Sequence, residues 1–288
     1  MLRTSADVAA VRDCTEATGN ITIFAPGNVE LPNLRSAQGL SVGSDDLTSI
    51  RLLALVTVEN SIYIGDNPAL TTIELPALEN AGLFGFSLKD NPLVTTVVLP
   101  KVETLGGFKL EVNERLENVS APLLTAVSGE SPAGDFYILT NPALEEIDVP
   151  LLERVNGELG VRYNDALTTL ALDHLVELGA VFVRDNPALS HLRLPEVPDT
   201  LDLDVGGNAA LQSIELPQLV SVREDIFIVG NAELTVLDLS SLTTVPSDGA
   251  FNISRNPMLP NCRVTDILAQ LEGYEGGEIV EDNSSTCP

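Results

Sequence analysis

The sequence predicts a parallel β-solenoid, and three observations carry that expectation. One short motif returns along nearly the whole chain, anchored on Asn67, Asn91, Asn113, Asn141, Asn164, Asn186, Asn208, Asn231 and Asn256, with intervals of 24, 22, 28, 23, 22, 22, 23 and 25 residues. Inside each copy apolar residues recur at a spacing of two, which is the period of a strand. Proline at 76, 100, 122, 150, 195 and 217 interrupts the stretch between copies, where eight to ten residues leave little room for a helix. A fixed period of this length is the signature of a repeat architecture and takes precedence over single motifs.

Taken in chain order, residues 1–18 are expected to form an N-terminal cap. Met1 to Ser5 has no apolar core of a secretory signal, and Ser5 to Asp13 suits a short helix with a Ser cap and apolar Val8 and Val11. About ten coils of 22–25 residues then follow over 19–259, beginning with a degenerate turn through Leu40, Val42 and Leu47. Five and three residues before each Asn stand the pairs Ile62/Ile64, Phe86/Leu88, Phe108/Leu110, Phe136/Ile138, Leu159/Val161, Val181/Val183, Leu203/Val205, Ile226/Ile228 and Phe251/Ile253. A run of the form LxxIxL comes after the Asn, as in Leu70, Ile73 and Leu75, and a third apolar pair after that, as in Val102/Leu105. Each coil therefore reads as three short strands, and stacking at about 4.8 Å puts equal offsets on top of one another.

The Asn column fits the same geometry. A buried amide at a bend can accept from the coil on one side and donate to the coil on the other. The competing reading, that Asp66, Asp90 and Asp185 beside it hold calcium, needs six to eight oxygens. Val112, Thr140, Gly207 and Arg255 occupy the same offset elsewhere, so no metal site is expected. Residues 260–288 form the C-terminal cap, with Val264, Ile267, Leu268 and Leu271 on one helical face and Gly273 ending it. Cys262 and Cys287 are expected to close a disulfide across a loop of about 25 residues, worth roughly 3 kcal/mol. Cys14 is either a buried small hydrophobe or a thiol whose partner lies elsewhere.

Composition narrows the function classes. With 42 acidic and 15 basic residues the net charge is −27, which excludes a duplex nucleic-acid binder. Hydrophobic residues make up 44% of the 288, enough for a sizeable core. No apolar run reaches the 18 or so residues that a membrane helix needs, so membrane insertion is not expected.

The columns, the Asn bends and the caps together resemble the receptor L-domain family over about residues 5 to 288. DVAAVRDCTEATGNITI looks like that family's opening, and the recurrent GxFxIxxNPxLTxIxLPxLxxV looks like its coils. The resemblance implies a single-stranded, right-handed β-helix located outside the cytoplasm. The chain departs from a receptor domain in its larger number of coils and in lacking a cysteine-rich module, and no ligand residue carries over. A generic leucine-rich-repeat solenoid is the alternative fold, since it shares the LxLxxNxL core of Ile62 to Leu70.

No catalytic signature is present, and no cofactor is expected. His174 and His191 are the only two histidines, and His191 falls at the outward offset of Thr72, Thr96 and Glu146. The interval of 28 contains an inserted loop, Gly129 to Gly134, and insertions in repeat proteins often lie on the working face. A flat ice-binding array would need aligned Thr, but the column Thr72, Thr96, Asn118, Glu146, Thr169, His191, Ser213, Val236 is irregular. The expected binding face is the outward side of the strand before the Asn, which gathers Tyr63, Lys89, Lys109, Tyr137, Arg162, Phe182, Arg184 and Phe227. Tyrosine offers contact area with a polar handle and arginine forks onto carboxylates. The bland alternative is that strands favour aromatics and that cations relieve cross-strand repulsion. Four sequons, at Asn20, Asn118, Asn252 and Asn283, permit glycosylation in a eukaryotic secretory route. These features lead us to expect a non-enzymatic, extracellular or cell-surface recognition or adhesion module for a glycan or protein ligand. A structural wall or envelope rod is the alternative, with an ice-binding protein or a polysaccharide-cleaving enzyme further behind.

Overall fold

The computed structural model describes residues 1–129 and 134–287. It is nearly all β, with parallel strands stacked as a β-solenoid of about eleven turns, one more than the ten or so coils expected. The pre-Asn strands build one long sheet, running from Glu16–Ile23 and Ser36–Val42 through Phe86's strand Gly85–Lys89 to Phe251–Ser254 and Glu278–Ile279. The short third strands, such as Thr57–Val58, Asn80–Ala81 and Thr104–Leu105, continue the same sheet around the bend.

Register follows the repeat. Phe86 pairs with Phe108 and Phe108 with Phe136, so the inward rings stack with centroids 6.1 and 5.2 Å apart. All three are fully buried, as are the Ile, Leu and Val of the same columns. Truncating one such ring to Ala costs on the order of 3–5 kcal/mol, so these columns supply much of the fold's stability.

All nine residues of the Asn column, Asn67, Asn91, Asn113, Asn141, Asn164, Asn186, Asn208, Asn231 and Asn256, are fully buried. Their bonding contains the expected relay, each amide oxygen accepting from the turn before and Nδ2 donating to the next Asn at most positions, and adds a second donation from Nδ2 back to a carbonyl of the turn before. Asn91 Oδ1 accepts from Asn67 Nδ2 at 2.9 Å, and Asn91 Nδ2 donates back to Ile64 O at 3.0 Å and to Lys89 O of its own turn at 2.7 Å. The forward link from Asn91 runs through its backbone, whose N–H donates to Asn113 Oδ1 at 3.1 Å. Further along, Asn164 Oδ1 accepts from Asn141 N at 3.1 Å, while its Nδ2 donates back to Ile138 O at 3.1 Å and onward to Asn186 Oδ1 at 3.2 Å. The same backbone-to-amide links and backward donations repeat at Asn113, Asn141, Asn186, Asn208 and Asn231. An amide aimed inward at the bend meets the open carbonyl of the turn below as well as the next amide, so each residue ties three turns together.

The residue before the Asn stands in the left-handed region, with φ from +53° to +58° at Asp66, Asp90, Val112, Thr140, Tyr163, Asp185 and Arg255, and with Gly207 and Gly230 in the remaining coils. This bend turns the Asn inward. Asp tolerates it better than most residues, which gives Asp66, Asp90 and Asp185 a backbone role. No cluster of three metal-ligating side chains occurs among the described residues.

Both caps differ in detail from the expectation. Helix α1 (Ser5–Ala10) is capped by Thr4, not Ser5: Thr4 Oγ1 accepts from Asp7 N, and the Asp7 carboxylate accepts from Thr4 N. That box occurs because Asp stands three residues after Thr4, where its carboxylate meets the open N–H groups. These bonds hold Asp7 below the usual carboxylate range, the one from Arg3 N first. Strand pairing already starts at Glu16, inside the segment 1–18, and Leu2 bridges Ile23.

At the other end helix α2 (Asn261–Gln270) buries Val264 and Ile267, and stops at Leu271, two residues before Gly273. The chain then adds a rung within 260–288. Glu278–Ile279 pairs with Phe251 and Asn252, Asp282 takes φ +55°, and Asn283 repeats the ladder, accepting from Asn256 N at 3.1 Å and donating to Ile253 O at 2.7 Å. The Cys262–Cys287 disulfide fastens this rung, with Cα atoms 6.0 Å apart. Cys14 is a free, exposed thiol, which excludes its reading as a buried hydrophobe. No helix among the described residues is long and apolar enough to cross a membrane.

Candidate ligand-binding face

On the long sheet the inward residues of each pre-Asn strand alternate with outward ones, and the latter hold all eight residues of the expected face. The side chains form two groups with different chemistry. From Lys109 to Asp204 the face is internally paired. Lys109 Nζ meets Asp135 Oδ2 at 3.1 Å, Arg162 meets Glu158 Oε1 at 2.6 Å, and Arg184 Nε meets Asp204 Oδ1 at 2.7 Å. The Asp204 bond leads the interactions that raise the Arg184 pKa.

Arg162 occupies a built slot. Gly160 stands between Tyr137 and Phe182 in register, and the side chain it lacks leaves room on the sheet. Tyr137 lies across Gly160, where a Cβ would strike its ring. The Arg162 guanidinium sits 5.5 Å from the Tyr137 ring centre and 4.9 Å from that of Phe182, and also donates to Tyr137 Oη at 3.3 Å. Both aromatics gain a cation contact and stay partly exposed. Glu158 is half-buried, and burial raises its carboxyl pKa by more than Arg162 lowers it. Lys89 lies in register beside Glu111, an opposite-charge neighbour across strands. Phe227 is partly exposed between Asp204 and Asn252 in the neighbouring turns. Lys109 and Arg184 therefore serve first as partners for carboxylates of the neighbouring turn, and Arg162 for a carboxylate on its own strand.

The N-terminal part of the face is different. Tyr63 lies flat over Gly65, its hydroxyl 3.4 Å from Asp66 Oδ2, and burial followed by Asp66 raises its pKa. Beside it runs an open groove of about 380 Å³ lined by Asn20, Thr22, Ser41, Asn60, Ser61, Tyr63 and Phe84, over a floor at Gly39 and Leu40. The repeat reading passes over Phe84. The signal was available in the interval of 24: Gly82-Leu83-Phe84-Gly85 stands where the next coil has only Gly106-Gly107, a two-residue insertion. Gly82 and Gly106 sit so close to neighbouring backbone that a Cβ has no space, which anchors the loop and projects its tip.

The post-Asn strands form three separate sheets, Gly27–Glu30 to Thr72–Glu74, Thr96–Val98 to Glu146–Asp148, and Thr169–Ala171 to Val236–Asp238. At the two breaks the strand pairing lapses, and clefts of about 430 Å³ at Ile73 and about 530 Å³ at Ile147 lie there. The Thr72 to Val236 column is thus interrupted twice. His174 and His191 are both exposed. His191 Nδ1 lies 2.7 Å from Ser190 Oγ, but that hydroxyl donates to Thr168 O at 2.9 Å, so the histidine is not placed to take its proton. Within the inserted loop Gly129 to Gly134, residues 130–133 lie outside the described residues. Of the sequons, Asn20 and Asn118 are exposed, Asn252 Oδ1 accepts from Ser254 Oγ, and Asn283 is a ladder residue.

Comparison with family models, with curated proteins and with solved structures gave no match to this chain.

Proposed function

We propose that this protein is a non-catalytic recognition or adhesion module that works outside the cytoplasm and binds a glycan or protein ligand through the outward face of its long sheet. The observation that carries this reading is the row of aromatic rings on that face: Tyr63, Tyr137, Phe182 and Phe227 all lie outward and partly exposed in a chain with 4% aromatics. Rings held over glycine or against a guanidinium lose little further freedom on binding, which favours affinity. The Cys262–Cys287 disulfide supports an oxidising compartment. Kinship with receptor L-domains belongs to the same proposal and rests on the repeat pattern alone.

The pairing of Lys109, Arg162 and Arg184 with carboxylates of their own face favours a second reading, a structural rod without a tight ligand. A screen against glycans and cell-surface proteins separates the two. The recognition reading expects a ligand that binds the intact chain and is lost when Tyr137, Phe182 and Phe227 are changed to Ala with the fold verified. Retained binding in that variant moves the site to another face, and a screen without ligands leaves the rod.

A further inference from the structure

We infer that the groove beside Tyr63 and Phe84 is a subsite for a neutral saccharide, an inference that rests on the recognition reading and gives it a ligand class. Three independent features meet there. The first is the insertion: Leu83 is 64% and Phe84 62% exposed, so the two added residues are large, apolar and turned to solvent. A loop lengthened for chain connectivity alone has no use for them, because exposed apolar area costs solubility. The second is hydrogen-bonding capacity. The side chains of Asn20, Thr22, Ser41, Asn60 and Ser61 line the groove without a hydrogen bond to any other described residue, unlike the paired side chains between Lys109 and Asp204. Amides and hydroxyls both donate and accept, as sugar hydroxyls do.

The third feature is charge. In a chain of net charge −27, none of the residues lining the groove carries an ionised side chain at neutral pH. An anionic ligand would meet the repulsive field of the whole molecule, and a cationic one would find no carboxylate in the lining. A neutral pyranose meets neither obstacle. Its C–H face stacks on Tyr63 or Phe84, and its hydroxyls reach the amides and hydroxyls of the groove walls. At about 380 Å³ the groove has the size of a small-molecule site.

The test is titration of the full chain, produced in a host that does not glycosylate Asn20, with a panel of neutral oligosaccharides (gluco-, xylo-, manno- and chito-oligomers) and with an oligogalacturonate as the anionic control. At least one neutral oligomer is expected to bind, and the anionic control not. Phe84→Ala, a change at an exposed loop tip, is expected to weaken binding at least about tenfold, Phe84→Tyr to restore it, and Val236→Ala, an exposed position on a separate post-Asn sheet, to leave it unchanged. No binding by any neutral oligomer overturns the saccharide inference, while a surface-protein ligand lost with Tyr137, Phe182 and Phe227 would still uphold the recognition reading. Binding that is lost in Phe227→Ala but kept in Phe84→Ala overturns the groove and leaves the face.

Discussion

Changing Asn164 to Ala removes one rung from the middle of the amide ladder. The side chain is fully buried. Its loss leaves Asn141 N–H without its acceptor and removes the two Nδ2 protons shared among Ile138 O, Arg162 O and Asn186 Oδ1. Arg162 O keeps Thr140 N and Asn186 Oδ1 keeps Asn164 N, each at 3.0 Å, so the loss of the two donated protons counts as two ordinary hydrogen bonds, whereas the Asn141 N–H is orphaned. An orphaned buried donor costs about 2 kcal/mol and a lost bond about 1 kcal/mol, which puts the total near 4 kcal/mol. Asn283→Ala at the open end provides the comparison, because its bonds are only part-buried and water replaces them. Its cost is expected to be under half as large. Urea unfolding of the two variants measures both, and amide exchange locates the weakened turns, since each turn of a solenoid contacts its neighbours alone. A central loss of about 1 kcal/mol or less, or a terminal loss equal to the central one, would refute the ladder as a stabilising element.

Two further outcomes follow from other parts of the molecule. Reducing Cys262–Cys287 removes a cross-link spanning 25 residues, worth roughly 3 kcal/mol; exchange protection is expected to fall at Glu278–Ile279 and Asn283 and to persist in the central turns, and a uniform loss would contradict a locally acting clasp. Glu158 has a raised folded-state pKa, so its protonated form favours folding: the stability of the wild type relative to Glu158→Gln is expected to be highest below the ordinary glutamate range and to fall as pH rises through the raised value. A rise with pH would mean that the Arg162 pairing outweighs burial.

The sequence by itself determined the solenoid, because a parallel stack repeats the same environment every turn and so demands the same residue type at the same offset. Phe86, Phe108 and Phe136 and the Asn residues from Asn67 and Asn91 to Asn256 are visible as columns for that reason, as is the Cys262–Cys287 pair, once both ends need closing. The relay between the amides was legible, but the second donation of each amide back to the turn before was not, since the spacing fixes the column and leaves open the carbonyl that Asn91 meets at Ile64. Rungs that break the spacing also stayed hidden. Asn283 follows Asn256 across an intervening helix, at a distance of 27 residues, and reads as a sequon until its amide is seen on Ile253 O. Outward residues carry no such constraint, since solvent accepts many side chains. Only tertiary structure decided that Arg162 fills the slot at Gly160, that Arg184 faces Asp204, and that the post-Asn sheet splits at Ile73 and Ile147. Phe84 lies between these cases. Its insertion is countable in the chain, but its position over the Tyr63 groove comes from the stacking of Gly82–Phe84 on Val58–Asn60 of the turn below, a contact between residues 24 apart that periodicity alone does not specify.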